Sequence, residues 1–146
     1  MNEVEDLVTQ AYIHQEDKHL TKAIGCFEQA LDIDPKEDAA WYGLGSIYFS
    51  QQNFPQAITC FQTILSFDQT NMFAYMELGK IAYAQGLYDL ALKHIEKTIA
   101  LSPKYIIAYE VLAKIHKKRG SESYALWCWD KINTLRQNLR KGMSVL

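Results

Sequence analysis

Trp41, Tyr75 and Tyr109 stand 34 residues apart, and the same interval recurs along the whole chain. Leu44, Leu78 and Leu112 form a second column, and Gly45, Gly79 and Ala113 a third. Ala23, Ala57, Ala91 and Ala125 fill a fourth without exception, while Phe27, Phe61, Ile95 and Trp129 fill a fifth. Pro35 and Pro103 lie 68 residues apart, twice the interval. Self-similarity at this period marks repeat architecture, in which each unit is too small to bury its own apolar face and must stack on its neighbours. Four units follow, 4–37, 38–71, 72–105 and 106–139, with residues 140–146 left as a tail.

Each unit carries two stretches with apolar residues at helical spacing. In the second unit these are Trp41, Leu44, Ile47 and Tyr48, then Ala57, Ile58, Phe61, Ile64 and Leu65. Breakers separate the stretches: Gln52-Asn53 with Pro55, Gly86, and Gly120-Ser121. Pro55 suits the first turn of a helix, where its missing N–H costs nothing. Gly45, Gly79 and Ala113 let the first helix of a pair approach the second closely, and the alanine column does the same from the other side.

The columns resemble the signature of the tetratricopeptide repeat: an aromatic, Leu-Gly, Tyr, then Ala, an aromatic and Pro. The second unit matches best, with Trp41, Leu44-Gly45, Tyr48, Ala57 and Phe61. The first unit departs, with Leu7 for the aromatic and Gln10-Ala11 for Leu-Gly. Gln69 and Gln137 replace the proline, and Ala82 stands in the tyrosine place with Tyr83 beside it. The resemblance implies an all-α fold: eight antiparallel helices in a right-handed superhelical solenoid of four helix hairpins. The first helices would line a concave groove.

Bulk properties narrow the function. At 146 residues and 49% apolar content, the chain suits one folded domain. No apolar run approaches the roughly 18–20 residues that span a bilayer, so no membrane role is expected. Met1 to Gln10 is acidic and polar, unlike a secretory signal. Three cysteines are too few for a disulfide scaffold, and the cytoplasm is the expected compartment. The net charge of −2 argues against nucleic acid as a partner. That average conceals an asymmetry: residues 1–73 hold three Lys/Arg against eleven Asp/Glu, and residues 74–146 hold twelve against six.

No catalytic constellation emerges, and neither a cofactor nor a metal is expected. Cys26, Cys60, His94 and Cys128 share a column. Equivalent helices of neighbouring units lie at least ~8–10 Å apart, whereas zinc–sulfur bonds of ~2.3 Å hold ligand atoms far closer together. The same spacing forbids disulfides, which want Cα atoms within ~7 Å. Gly43-Leu-Gly45-Ser46 lacks the strand and third glycine of a phosphate loop. His14 and His116 occupy the tyrosine place and read as core-edge residues. Lys114, Lys117, Lys118 and Arg119 read equally as a solvated face or a binding patch.

Transferred position by position, the family's groove-facing places are Val8, Thr9 and Tyr12 in the first unit, and Tyr42, Ser46 and Phe49 in the second. The third contributes Phe73, Met76, Glu77, Lys80 and Tyr83, and the fourth Ile107, Glu110, Lys114, Lys117 and Lys118. Aromatic residues and Met are what protein interfaces enrich. Family members that clamp the C-terminal carboxylate of heat-shock chaperones use Lys, Arg and Asn at five of these places. Here those places hold Val8, Tyr12, Gly43, Phe73 and Glu77, so no clamp is expected. The implied function is a non-catalytic protein-interaction module, an adaptor or chaperone-like binder, holding an apolar or helical partner segment. The alternatives are a self-assembling scaffold and an RNA-binding helical repeat. Trp127, Ile132, Leu135 and Leu139 on the last helix are the candidates for homo-oligomer contact. Gly142 argues against a helical tail, and a folded-back Val145-Leu146 is the competing way to shield that edge.

Overall fold

The computed structural model describes residues 2–144, and among them it holds eight helices and no strand. These are α1 (Glu3–Glu16), α2 (Leu20–Ile33), α3 (Asp38–Ser50), α4 (Phe54–Phe67), α5 (Met72–Ala84), α6 (Tyr88–Leu101), α7 (Ile106–Lys118) and α8 (Glu122–Ser144). The all-α hairpin fold expected from the repeat is the one observed. α1 pairs with α2, α3 with α4 and α7 with α8, while α2 packs on α3 and α6 on α7. The chain forms two compact bodies that part between Ala74 and Tyr75. None of the described helices is long and apolar enough to cross a membrane.

Local chemistry sets the helix ends. Asn2 caps α1 reciprocally: its Oδ1 accepts the Glu5 N–H at 2.8 Å, and the Glu5 carboxylate accepts the Asn2 N–H. Inside every hairpin one residue adopts the left-handed conformation: Lys18 (φ 62°), Gln52 (59°), Gly86 (75°) and Gly120 (74°). All four share one column of the repeat. The next residue's N–H then reaches a carbonyl five positions back, His19 to His14, Asn53 to Tyr48, Leu87 to Ala82 and Ser121 to His116, at 2.8–2.9 Å. This closes each first helix and satisfies one of its orphan carbonyls. Between hairpins, the Asp34 and Asp68 carboxylates accept N–H groups of Lys36 (3.0 Å) and Thr70 (3.1 Å). The aromatic heading the first helix ties back to that link, Trp41 Nε1–H to the Pro35 carbonyl and Tyr109 O–H to the Pro103 carbonyl, both at 2.8 Å.

The columns become the core. Ala23, Ala57 and Ala91 are completely buried and Ala125 nearly so, as are Phe27, Leu44, Gly45, Phe61, Leu78, Ile95 and Leu112. Tyr48, expected inside with them, is half-buried. The glycines are there for close approach. A Cβ on Gly45 would stand 2.6 Å from the Phe61 ring, and one on Gly79 2.6 Å from Ile95 Cδ1. Gly43 does the same between hairpins, facing the Phe27 ring.

Two expectations at the chain's last helix need correction. Trp129, assigned to the buried aromatic column, is 45% exposed. Its counterparts are covered by a first helix of a following hairpin, and no described helix lies over α8. The segment 140–144, expected to be a poor helix because of Gly142, continues α8 to Ser144. One glycine costs about 1 kcal/mol, too little to halt a helix that has already propagated for several turns. Val145 and Leu146, the proposed shield, lie outside the described residues.

Candidate protein-binding faces

In the first body, α1 and α3 bring three of the expected groove residues together. Tyr12, Asp38, Ala39, Tyr42, Ile64, Asn71 and Phe73 line a cleft of about 380 Å³. Tyr12 is held firmly: its hydroxyl donates to the Ala39 carbonyl at 2.8 Å, and its ring meets Phe27 edge-on at 5.1 Å. Burial, then the carboxylates of Asp38 and Glu37, push its phenol pKa up, so Tyr12 presents a neutral hydroxyl. Tyr42 packs edge-on against Phe61 at 5.6 Å, fixing its ring at the cleft wall. Phe73 is 49% exposed. Ser46 and Phe49 are half-buried farther along α3, and the Phe49 ring lies 6.1 Å from that of Phe54; neither lines this cleft.

The second body divides its candidates. Met76, expected on the groove, is 2% exposed and belongs to a core cluster with Ala91, Ile95 and Leu112. Its unbranched thioether side chain fills the interior instead of meeting a partner. Glu77 is buried too, with its carboxylate 2.7 Å from the half-exposed Lys80 ammonium. Tyr83 is half-buried with its ring 5.7 Å from Tyr88. Lys114 and Lys117 are exposed on α7, and Glu110 is bonded by Arg136 at 2.8 Å.

Among the candidates for self-association, Trp127 and Leu139 are exposed and Leu135 is half-buried. Ile132 is completely buried, packed inward on the same side as Ala125 and Cys128, and cannot meet a second molecule. Leu135 and Leu139 line a cleft of about 330 Å³ with Lys104, Asn138, Gly142 and Met143.

Sequence reading missed another cleft in the first body. It measures about 530 Å³ and runs between α2, α3 and α4, with Glu28, Asp32, Trp41, Tyr48, Thr59 and Cys60 among its walls. The available signal was Glu28 and Asp32, one turn apart on the solvated side of α2. Burial raises the Cys60 thiol to about 11, which leaves it protonated and a weak nucleophile at neutral pH. Burial likewise lowers the His94 imidazole. Among the described residues no three His, Cys, Asp or Glu side chains are grouped to hold a metal ion.

Comparisons with known proteins bear on this arrangement. A search of curated protein sequences returns no match. Among solved structures, a crystal structure of MamA is 26% identical, with a TM-score of 0.83 over 96% of this chain and 82% of that one. A second MamA crystal structure is 24% identical, with a TM-score of 0.81 over 95% of this chain and 76% of the other. The 41-to-end portion of MamA from Desulfovibrio magneticus RS-1 is 16% identical, with a TM-score of 0.81 over 93% and 77%. At these lower identities the latter two bear on the fold alone. Two models of the tetratricopeptide repeat match this chain, one over residues 14–81 and the other over residues 74–105. With its 34-residue columns buried as helix hairpins and the matched residues spanning most of its length, the chain belongs to the tetratricopeptide-repeat family.

Proposed function

We propose that the chain is a non-catalytic adaptor that seats an apolar or helical segment of a partner protein on the first-helix side of its first body. The family is one of protein-interaction modules, and this is the specific form the residues support best. The observation that carries it is the cleft in which Tyr12, Tyr42 and Phe73 converge. Its aromatic rings supply area at little entropic cost, while Asp38 and Asn71 offer acceptors to orient a bound backbone. The residues at the clamp places bear no cationic side chain, so a free carboxylate has little to hold it there. In the second body, Lys80, Tyr83, Lys114 and Lys117 would extend the binding face with mixed charge. The cytoplasm suits such a role, since its thiols would stay reduced. The test is to recover the partner with the intact chain and measure its affinity for a Tyr42→Ala/Phe73→Ala double variant. Loss of binding with an unchanged helical spectrum supports the cleft; unchanged affinity places the function on another face.

A further inference from the structure

The repeats serve as internal standards for one another. Phe27, Phe61 and Ile95 are completely buried, yet Trp129 in the same column is 45% exposed. Ile24, Ile58 and Leu92 are half-buried, yet Leu126 in their column is 68% exposed. The cause is visible where a following hairpin exists. The Phe27 ring lies against Gly43 of α3, and Ile95 shares a core cluster with Ala108, Val111, Leu112 and Ile115 of α7. A first helix covers α2, and another covers α6. Among the described residues nothing covers α8.

The opposite end is built differently. Where α3 has Ala40, Gly43, Leu44 and Ile47, and α7 has Ala108, Val111, Leu112 and Ile115, α1 carries Asp6, Thr9, Gln10 and Ile13. All four of these α1 residues are exposed. Three of the four are polar, so this face is finished for water. Pressing it onto Trp129 of a second copy would bury the Asp6 carboxylate without a partner, which is costly. Head-to-tail stacking of copies is therefore disfavoured, and the apolar face of α8 calls for a different occupant.

We propose that the Leu126–Trp129 face of α8 docks an amphipathic helix of a partner protein, one that repeats the spacing Ala-x-x-Gly-Leu-x-x-Ile found in α3. Size matching selects the glycine. Phe27 is faced by Gly43, where a Cβ would stand 2.1 Å from the ring, while the smaller Ile95 shares its cluster with Val111. Trp129 is larger than either, so its partner helix must be smallest at that place. This site is independent of the Tyr42 cleft.

The probe is a fluorescein-labelled, side-chain-stapled peptide of the α3 sequence, residues 38–50, followed by anisotropy on the full chain. It binds, and a Gly43→Val version of the peptide binds at least fivefold more weakly. A Leu126→Glu/Trp129→Glu variant of the protein loses at least tenfold in affinity while keeping its helical spectrum and melting temperature, because both side chains are exposed. The Tyr42→Ala/Phe73→Ala variant retains the peptide, which separates the two sites. No binding, or equal binding to the Glu variant, overturns the proposal. A concentration-dependent dimer in sedimentation that the Glu variant dissolves also overturns it, by assigning the face to a second copy.

Discussion

Gly43 of α3 faces Phe27 of α2 so closely that a Cβ at Gly43 would lie 2.1 Å from the ring, and Phe27 is completely buried with nowhere to swing. Gly25, in the middle of α2, has nothing within 4 Å of its own Cβ position. The same substitution should therefore act with opposite sign in neighbouring helices. Overpacking costs ~1–3 kcal/mol, and alanine recovers part of that through helix propensity. Gly43→Ala is expected to destabilise by about 2 kcal/mol, and Gly25→Ala to stabilise by about 0.5–1 kcal/mol. Urea unfolding of the two variants checks both signs.

Lys18 and Gln52 hold the left-handed backbone that Gly86 and Gly120 hold in the other two hairpins. An L side chain there costs ~1–2 kcal/mol, partly offset because glycine raises the entropy of the unfolded chain. Lys18→Gly and Gln52→Gly should each raise stability by roughly 0.5–1 kcal/mol. Gly86→Ala and Gly120→Ala should each lower it by a similar amount. Equal midpoints for all four variants would contradict the shared turn geometry.

The buried thiol of Cys60 implies an alkaline limit. Its folded pKa is raised from 9.0 to about 11, so above pH 9 the unfolded chain releases this proton while the folded chain keeps it. The associated stability is complete below pH 9 and declines between pH 9 and 11, at up to about 1.4 kcal/mol per pH unit. Cys60→Ala should flatten that decline, whatever it costs at neutral pH. His94 works at the other end: burial lowers its folded pKa, so stability falls as pH drops below the ordinary 6.5. Melting temperatures from pH 5 to 11 for the native chain and the Cys60 variant test both.

The Tyr12 hydroxyl joins α1 to the start of α3 through the Ala39 carbonyl at 2.8 Å. Tyr12→Phe keeps the ring on Phe27 and removes only this bond. It should cost about 1 kcal/mol, and native-state hydrogen exchange should show the loss as earlier opening of α1.

At the aromatic cleft, Tyr42→Ala with Phe73→Ala is expected to weaken the partner by about 2 kcal/mol or more, roughly thirtyfold, if these rings anchor it. Lys80→Ala, half-exposed and engaged with Glu77, should change affinity much less. Titration calorimetry with the recovered partner distinguishes the two effects.

The fold was legible because its instructions are local and repeated. The aromatic, Leu-Gly and Ala columns specify helix, turn and hairpin contact within 34 residues, and each is confirmed by its copies. Even the left-handed turn position lies in the breaker clusters that separate the apolar stretches. Partner-facing residues were harder to read, since a column states which side a residue faces and not whether anything lies there. Tyr12, Tyr42 and Phe73 meet at one cleft as their places suggested, whereas the flexible Met76 turned inward to fill the core. Gly43 looked unremarkable as a sequence position until the Phe27 ring was seen against it. The terminal helices show the limit best. Trp129 shares a column with three completely buried residues but is 45% exposed, and Asp6 stands where the other repeats bury alanine. Helical periodicity is a property of the chain and can be read from it. Burial belongs to the pair of surfaces that meet, and only tertiary packing decides which faces find a neighbour.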